Sequence, residues 1–310
     1  MNQFLSILTV RTLVLFIVLS LLLVMSADAQ QEWTHSQYQF NLFDANPAYA
    51  GSHQTLSMAV RHRSQWMGMA GAPSSDQFSI HTPLAGDHAA AGMRVVSDRI
   101  GARTQLTAKG TGVYKVRFQR SKLAFALTAG VVRQCVDVAL LNAQDSEDAL
   151  LLGLNQARSV PTVGASVLYT SSRLFVGLDA SQLNRAGWNY AQDTGSRLYR
   201  HYSLVAGVIL PVGEGNLIEL SSLSKYAEGG QWQAEFNAQF LYRNRCWIGG
   251  GYRVKSGIQG LLAWMISDHL RAGLSYDYSV GQQFARPASS VEGFLGYTLQ
   301  KRSAHSMRYF

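Results

Sequence analysis

Residues 268–279 read DHLRAGLSYDYS. Leu270, Ala272, Leu274, Tyr276 and Tyr278 fall on one side of an extended chain, and Arg271, Gly273, Ser275 and Asp277 on the other. Successive side chains of a strand point to opposite faces, so this is a strand with one oily and one polar or small face. The pattern recurs in QWQAEFNAQFLY at 231–242, where Trp232, Ala234, Phe236, Ala238, Phe240 and Tyr242 alternate with Gln233, Glu235, Asn237 and Gln239. At 202–210, Tyr202, Leu204, Ala206, Val208 and Leu210 alternate with Ser203, Val205, Gly207 and Ile209. At 123–133, Leu123, Phe125, Leu127 and Val131 alternate with Ala124, Ala126, Thr128 and Gly130.

Alternation alone also suits a soluble sandwich. Two features favour lipid on the oily side. Aromatic residues gather at segment ends (Trp232, Tyr242, Tyr276, Tyr278, Tyr297), where the interfacial girdles of a transmembrane barrel lie. Past the N-terminus, polar residues or glycine interrupt each long apolar stretch before it could form a spanning helix. The segments number about fourteen, near 53–66, 74–83, 89–98, 104–118, 122–134, 161–170, 173–182, 200–211, 216–225, 231–243, 246–254, 257–267, 269–279 and 289–299. Connections after even-numbered segments are short, and the long ones (135–160, 183–199, 280–288) follow odd-numbered segments. That asymmetry is expected of an outer-membrane barrel with periplasmic turns and external loops. The predicted fold is therefore an all-β, transmembrane antiparallel β-barrel at 53–300. Strand one must pair with the last, because an open edge in hydrocarbon leaves backbone groups unsatisfied.

The flanks read separately. Arg11 precedes an apolar run from Leu13 to Met25, and Ala27-Asp28-Ala29 places small residues where a signal peptidase reads them, so 1–29 is expected to be a cleaved signal peptide. No lipobox cysteine follows. Cleavage removes one positive and one negative charge and leaves the net charge of +8 unchanged. Those charges are scattered, without the basic run of a nucleic-acid surface. Residues 30–52 are rich in Gln, Asn and aromatics and are read either as a plug in the lumen, which fourteen strands leave room for, or as a periplasmic tail. Residues 301–310 form a polar C-terminal tail. Cys135 and Cys246 fall near opposite ends of the barrel, too far apart for a bridge.

The sequence carries few groups arranged for chemistry. The eight histidines show no ligand spacing, and no nucleophile elbow or phosphate loop occurs, so no catalytic residue, cofactor or metal is expected. An outer-membrane hydrolase would require a Ser/His pair near the outer leaflet, and none is evident. The lumen carboxylates Glu235, Asp277 and Glu292 are expected to pair with Arg271 or Arg253 as structural ion pairs. Gly249-Gly250-Gly251 suggests close backbone packing or a bend.

Several strings occur in a telling order: Asn46-Pro47-Ala48-Tyr49-Ala50-Gly51, Arg63-Ser64-Gln65-Trp66, Gly71-Ala72-Pro73, Asp98-Arg99-Ile100-Gly101, Ser224-Lys225, Gly251-Tyr252-Arg253 and Tyr276-Asp277-Tyr278. Together they resemble the PorP/SprF outer-membrane proteins of the type IX secretion and gliding-motility apparatus of Bacteroidota. Ser74 stands where that family usually has Thr, and Ser290-Val291-Glu292 where it often has Ser-His-Glu. The resemblance implies a non-enzymatic outer-membrane barrel that helps secrete or anchor large surface proteins, often adhesins. Implied partners are outer-membrane lipid, a secreted surface protein with a C-terminal sorting domain, a periplasmic peptidoglycan-binding protein and secretion ring proteins. Loops 135–160 and 183–199 and the periplasmic face are the expected docking surfaces. The alternative is a transport barrel for hydrophobic small molecules, with 30–52 as its plug. Candidate plug or motif residues are Asn46, Pro47, Tyr49, Gly51, Arg63 and Trp66. Asn46-Pro47 favours a turn and Gly51 a left-handed position. Two readings of the last pair remain open: Arg63 and Trp66 form a cation–π or hydrogen-bonded couple, or Trp66 is a girdle aromatic and Arg63 a headgroup-facing charge.

Overall fold

The computed structural model describes residues 35–53, 55–84, 88–141, 157–188, 197–230, 232–279 and 288–299. The described chain holds fourteen strands: β1 (Ser57–Ser64), β2 (Ser74–Pro83), β3 (Ala89–Ile100), β4 (Arg103–Arg117), β5 (Ser121–Val136), β6 (Arg158–Ser171), β7 (Leu174–Ser181), β8 (His201–Pro211), β9 (Leu217–Ala227), β10 (Trp232–Tyr242), β11 (Cys246–Arg253), β12 (Gly257–Met265), β13 (Leu270–Ser279) and β14 (Ala288–Thr298). Each pairs antiparallel with its sequence neighbours, and β1 closes on β14 from Ser57↔Thr298 to Ser64↔Val291. Closure pairs every strand on both sides, as hydrocarbon requires. No described helix is long and apolar enough to cross a membrane.

β12 displays the sidedness most plainly. Leu261, Ala263 and Met265 are buried inside, while Ile258, Leu262 and Trp264 are more than half exposed on the outer wall. Val60, Leu127, Leu178, Ile248, Leu274 and Leu295 are exposed on the same surface. So broad an apolar surface is what acyl chains would cover. Tyr202 and Tyr226, cross-strand partners, stack at 6.3 Å on that wall.

The boundaries differ from the sequence reading at two informative places. β1 begins at Ser57 instead of 53, because its partner β14 ends at Thr298 and the chain turns at Gly51 with φ +69°. β6 begins at Arg158 instead of 161, paired with β5 as far as Gln134↔Arg158. Pro161 therefore lies inside a strand. It is tolerated because β7 pairs only with Ala165–Thr170. Beyond that stretch the Pro161 carbonyl accepts from Asn184 Nδ2 at 2.8 Å, so this side of β6 faces a loop and a missing N–H breaks no ladder.

Connections 84–88, 118–120, 172–173, 212–216, 243–245 and 266–269 lie at one end of the barrel, and the long ones at the other. Loop 280–287, most of 137–157 and 189–196 lie outside the described residues. The described loop ends fold back at the long-loop end, where Trp188 and Leu198 pack on Val132 and Val160. Cys135, near the long-loop end of β5, and Cys246, at the short-turn end of β11, are both free.

Candidate functional site in the barrel lumen

Residues 35–53 lie inside the ring of strands. Three short 3-10 turns, Tyr38–Phe40, Leu42–Asp44 and Pro47–Tyr49, keep the segment compact, and every residue from Ser36 to Ala50 except Asp44 is buried. The segment runs from the long-loop end, near Asp277 and Arg253, to the short-turn end at Gly51, then passes into β1.

At the long-loop end it is held by charge. Inward-facing Arg61 and Arg63 of β1 meet Glu292 of β14 and Asp277 of β13. Arg61 Nε lies 3.2 Å from Glu292 Oε1, and Arg63 NH1 lies 3.1 Å from Oε2. Arg63 also ion-pairs with Asp277. Glu292 then accepts from two backbone groups of the segment, Ser36 N at 3.0 Å and Gln37 N at 3.1 Å. Ser36 Oγ donates to Asp277 Oδ2 at 2.7 Å and accepts from Arg63 NH1 at 2.8 Å. From β11, Arg253 bonds Glu235 of β10 at 2.7 Å and approaches Asp277 at 3.5 Å. Arg61 reaches onward to Asp44 of the segment itself, at 2.9 Å. Each of these charges thus meets an opposite one, a condition for placing them in a dry interior at all. Burial lowers the pKa of His35 and raises that of Tyr38, favouring the neutral form of each ring.

Midway, packing takes over. Phe40 contacts Trp247 at 5.8 Å and Phe294 at 6.0 Å within a cluster completed by Leu241, Leu261, Ala263 and Met265. Arg271 stands over the rings of Phe40, Trp247 and Phe294 at 5.1–5.5 Å and donates to the Phe40 carbonyl. Tyr38 OH donates to Ser221 Oγ at 3.2 Å and accepts from Asn237 Nδ2 at 3.2 Å. The triple-glycine string makes room nearby, since a Cβ on Gly251 would stand 2.0 Å from Asn237 Oδ1.

Toward the short-turn end lie Asn46, Pro47, Tyr49 and Gly51. Asn46 Oδ1 caps the Pro47–Tyr49 turn by accepting from Ala48 N at 3.0 Å. Its Nδ2 donates to the carbonyls of Val167 and Leu178, both at 3.1 Å, tying the segment to β6 and β7. Ala48 and Tyr49 join Phe43, Ala124, Ala126, Leu168, Phe175 and Val205 in the larger core cluster. Gly51 N donates to His81 Nδ1 at 3.1 Å. A Cβ on Gly51 would lie 2.5 Å from Ala90 Cβ and 2.7 Å from Lys115 Nζ. Gly51→Ala is therefore expected to cost about 1–3 kcal/mol, through left-handed strain and overpacking. A lower unfolding midpoint in detergent would register it; an unchanged midpoint would show that Gly51 is not needed there.

The candidates from sequence do not form one cluster. Arg63 belongs to the charged end, far along the axis from Asn46 and Gly51. It is 2% exposed, so the headgroup-facing reading fails, and its guanidinium turns to Asp277, Glu292 and Ser36. Trp66 sits half-buried in the β1–β2 loop at φ 49°, its backbone N–H donating to Ser290 Oγ at 3.3 Å. Arg253 pairs with the lumen carboxylates as expected, whereas Arg271 serves aromatic rings and a carbonyl. Ser36, Asp44 and Arg61 escaped the sequence reading. Arg61 had a legible signal, since it shares the inward parity of Arg63 on β1. Val291, in place of the family's His, alternates to the outside, so the departure leaves the lumen network intact.

A polar vestibule of about 370 Å³ remains beyond the segment at the long-loop end, lined in part by Arg94, Asp98, Lys109, Asp179 and Lys225. Among the described residues no group of His, Cys, Asp and Glu is arranged to hold a metal ion.

A family model described as type IX secretion system membrane protein PorP/SprF matches residues 27–297. The chain belongs to the PorP/SprF family. A search of curated proteins returns no match. Among solved structures, this PorP/SprF barrel is similar to the CymD monoaromatic hydrocarbon channel (12% identity, 91% of this chain and 96% of that one, TM-score 0.52). It is also similar to a TodX monoaromatic hydrocarbon channel lacking S2 and S3 (11% identity, 88% and 97%, TM-score 0.50). At such identities the likeness speaks to the barrel fold and, with the family, to an outer-membrane location.

Proposed function

We propose that this PorP/SprF barrel is a closed outer-membrane anchor of the type IX secretion apparatus, in which the N-terminal segment is a plug. One observation carries the reading: the lumen charges of β1, β11, β13 and β14 converge on residues 36–37 and Asp44 of one segment. A conduit would direct such groups at water, whereas here they hold a piece of the chain. Residues 1–29 are removed on export, 301–310 remain as a tail, and the barrel helps deliver or retain a large surface protein bearing a C-terminal sorting domain. The long-loop end faces that cargo. The short-turn end faces the peptidoglycan-binding and ring components, and the role asks no chemistry of the lumen.

Mild-detergent purification of the tagged full-length chain from native membranes is expected to recover a secreted surface protein in near-stoichiometric amount. Recovery of the barrel alone, with lipid-like molecules in the lumen, would transfer support to transport of hydrophobic molecules. That second reading draws on a depression of about 600 Å³ in the outer wall, bordered by Phe125, Val167, Leu178, Tyr202 and Tyr226, which could admit an apolar solute from the side.

A further inference from the structure

The expectation that no Ser/His pair stands near the outer leaflet is corrected by the wall itself. On β1 the outward positions run Met58, Val60, His62, Ser64, and on β2, read in the same axial direction, Ile80, Phe78, Asp76, Ser74. Cross-strand register sets Val60 opposite Phe78, His62 opposite Asp76 and Ser64 opposite Ser74. Both strands change from apolar to polar at the same step, toward the long-loop end. There His62 Nδ1 lies 2.7 Å from Asp76 Oδ1, and His62 Nε2 lies 3.0 Å from Ser64 Oγ. An ionised Asp76 can only accept, so Nδ1 carries the proton and Nε2 accepts from the Ser64 hydroxyl. This is the acid–imidazole–hydroxyl order that activates a serine nucleophile. The side chains of His62 and Asp76 are 59% and 70% exposed, open to whatever lies against the wall.

We propose that Ser64, His62 and Asp76 form a serine esterase site on the outer wall, acting on acyl esters of outer-leaflet lipids. The surroundings select that substrate. Val60 and Phe78 are exposed one step into the apolar band, with Met58 and Ile80 beyond them, a path for an acyl chain. On the other side, Arg99 of β3 is outward and exposed, in the row Ser64–Ser74–Arg99. It lies two strand spacings, about 10 Å, from Ser64, which is the reach from an ester to an anionic headgroup. Ser64 Oγ attacks the ester carbonyl carbon as its proton passes to His62 Nε2. Ser74, across from Ser64, offers a hydroxyl to the developing oxyanion. The ester C–O bond breaks, the leaving alkoxide takes the proton from Nε2, and an acyl-Ser64 remains. Water then attacks the acyl carbon, giving one proton to Nε2. As the bond to Oγ breaks, that proton returns to Ser64 and the free fatty acid leaves. Asp76 is a positioning residue, holding the imidazole tautomer. The site faces lipid and stands independently of the secretion role.

The test uses the full-length folded barrel in nonionic detergent, with heat-modifiable gel migration as the fold control. An alkyl fluorophosphonate should label the protein at Ser64. Mixed micelles of a diacyl phosphatidylglycerol and, separately, of lipid A should report fatty-acid release. Release from either supports the site and identifies the source of the ester. Ser64→Ala should abolish labelling and lower release at least a hundredfold. Asp76→Asn should lower release ~10²–10⁴-fold. Asp76→Glu, which keeps the carboxylate, should recover part of the rate. A folded wild-type barrel that takes no label and releases no fatty acid from either lipid overturns the proposal, as does labelling that persists in Ser64→Ala.

Discussion

Glu292→Ala should release the N-terminal segment while the barrel wall stays closed, at a cost of about 3–5 kcal/mol. Glu292 is fully buried and is the point where Arg61, Arg63 and the backbone N–H groups of Ser36 and Gln37 all converge. Truncation leaves two guanidinium groups facing each other with one carboxylate fewer and orphans two backbone donors, each of which adds a desolvation penalty. The wall does not depend on that side chain, because β14 pairs with β1 and β13 through its backbone. Hydrogen exchange in detergent is the discriminating measurement. Amides of 36–50 should lose protection while those of β1 and β14 keep theirs, and single-channel recordings should gain a conductance absent from the wild type. Unchanged protection would mean that packing alone holds the segment. Collapse of protection everywhere would mean that the segment is a core the wall cannot do without.

Phe40→Ala should cost a similar amount, about 3–5 kcal/mol, by a different route. Phe40 is 3% exposed and touches Trp247 and Phe294, while Arg271 sits over the same rings. Removing the ring opens a cavity between strands whose backbones are fixed by closure, so little collapse can fill it, and Arg271 loses one of its π partners. Trp247 should report the change through fluorescence, and denaturant unfolding should show a lower midpoint. The two substitutions lie on separate parts of the segment. If Glu292→Ala and Phe40→Ala give additive losses, the charged and aromatic anchors act independently; a double variant no worse than either single one would show that the segment leaves as a unit.

The wall was legible because lipid imposes a period of two on every strand. That period placed all fourteen strands within a few residues and sorted Glu235, Asp277 and Glu292 into the lumen. The candidate site was less legible. Asn46 and Gly51 announced a turn, but nothing in 35–53 states which strands its side chains meet. Asn46 bonds β6 and β7 more than a hundred residues away, and Ser36 bonds β13 across most of the chain.

The sequence by itself determined the membrane, the closure and the face on which each side chain lies, since inward and outward parity follows from the backbone pleat alone. Only the tertiary structure decided who meets whom. Sliding a strand by two residues keeps every side chain on its face yet changes each cross-strand partner, so parity cannot specify register. Closing β1 onto β14 set Arg63 opposite Glu292, and the β1–β2 loop set His62 opposite Asp76. The ion network within and the serine–histidine pair without are both products of that register.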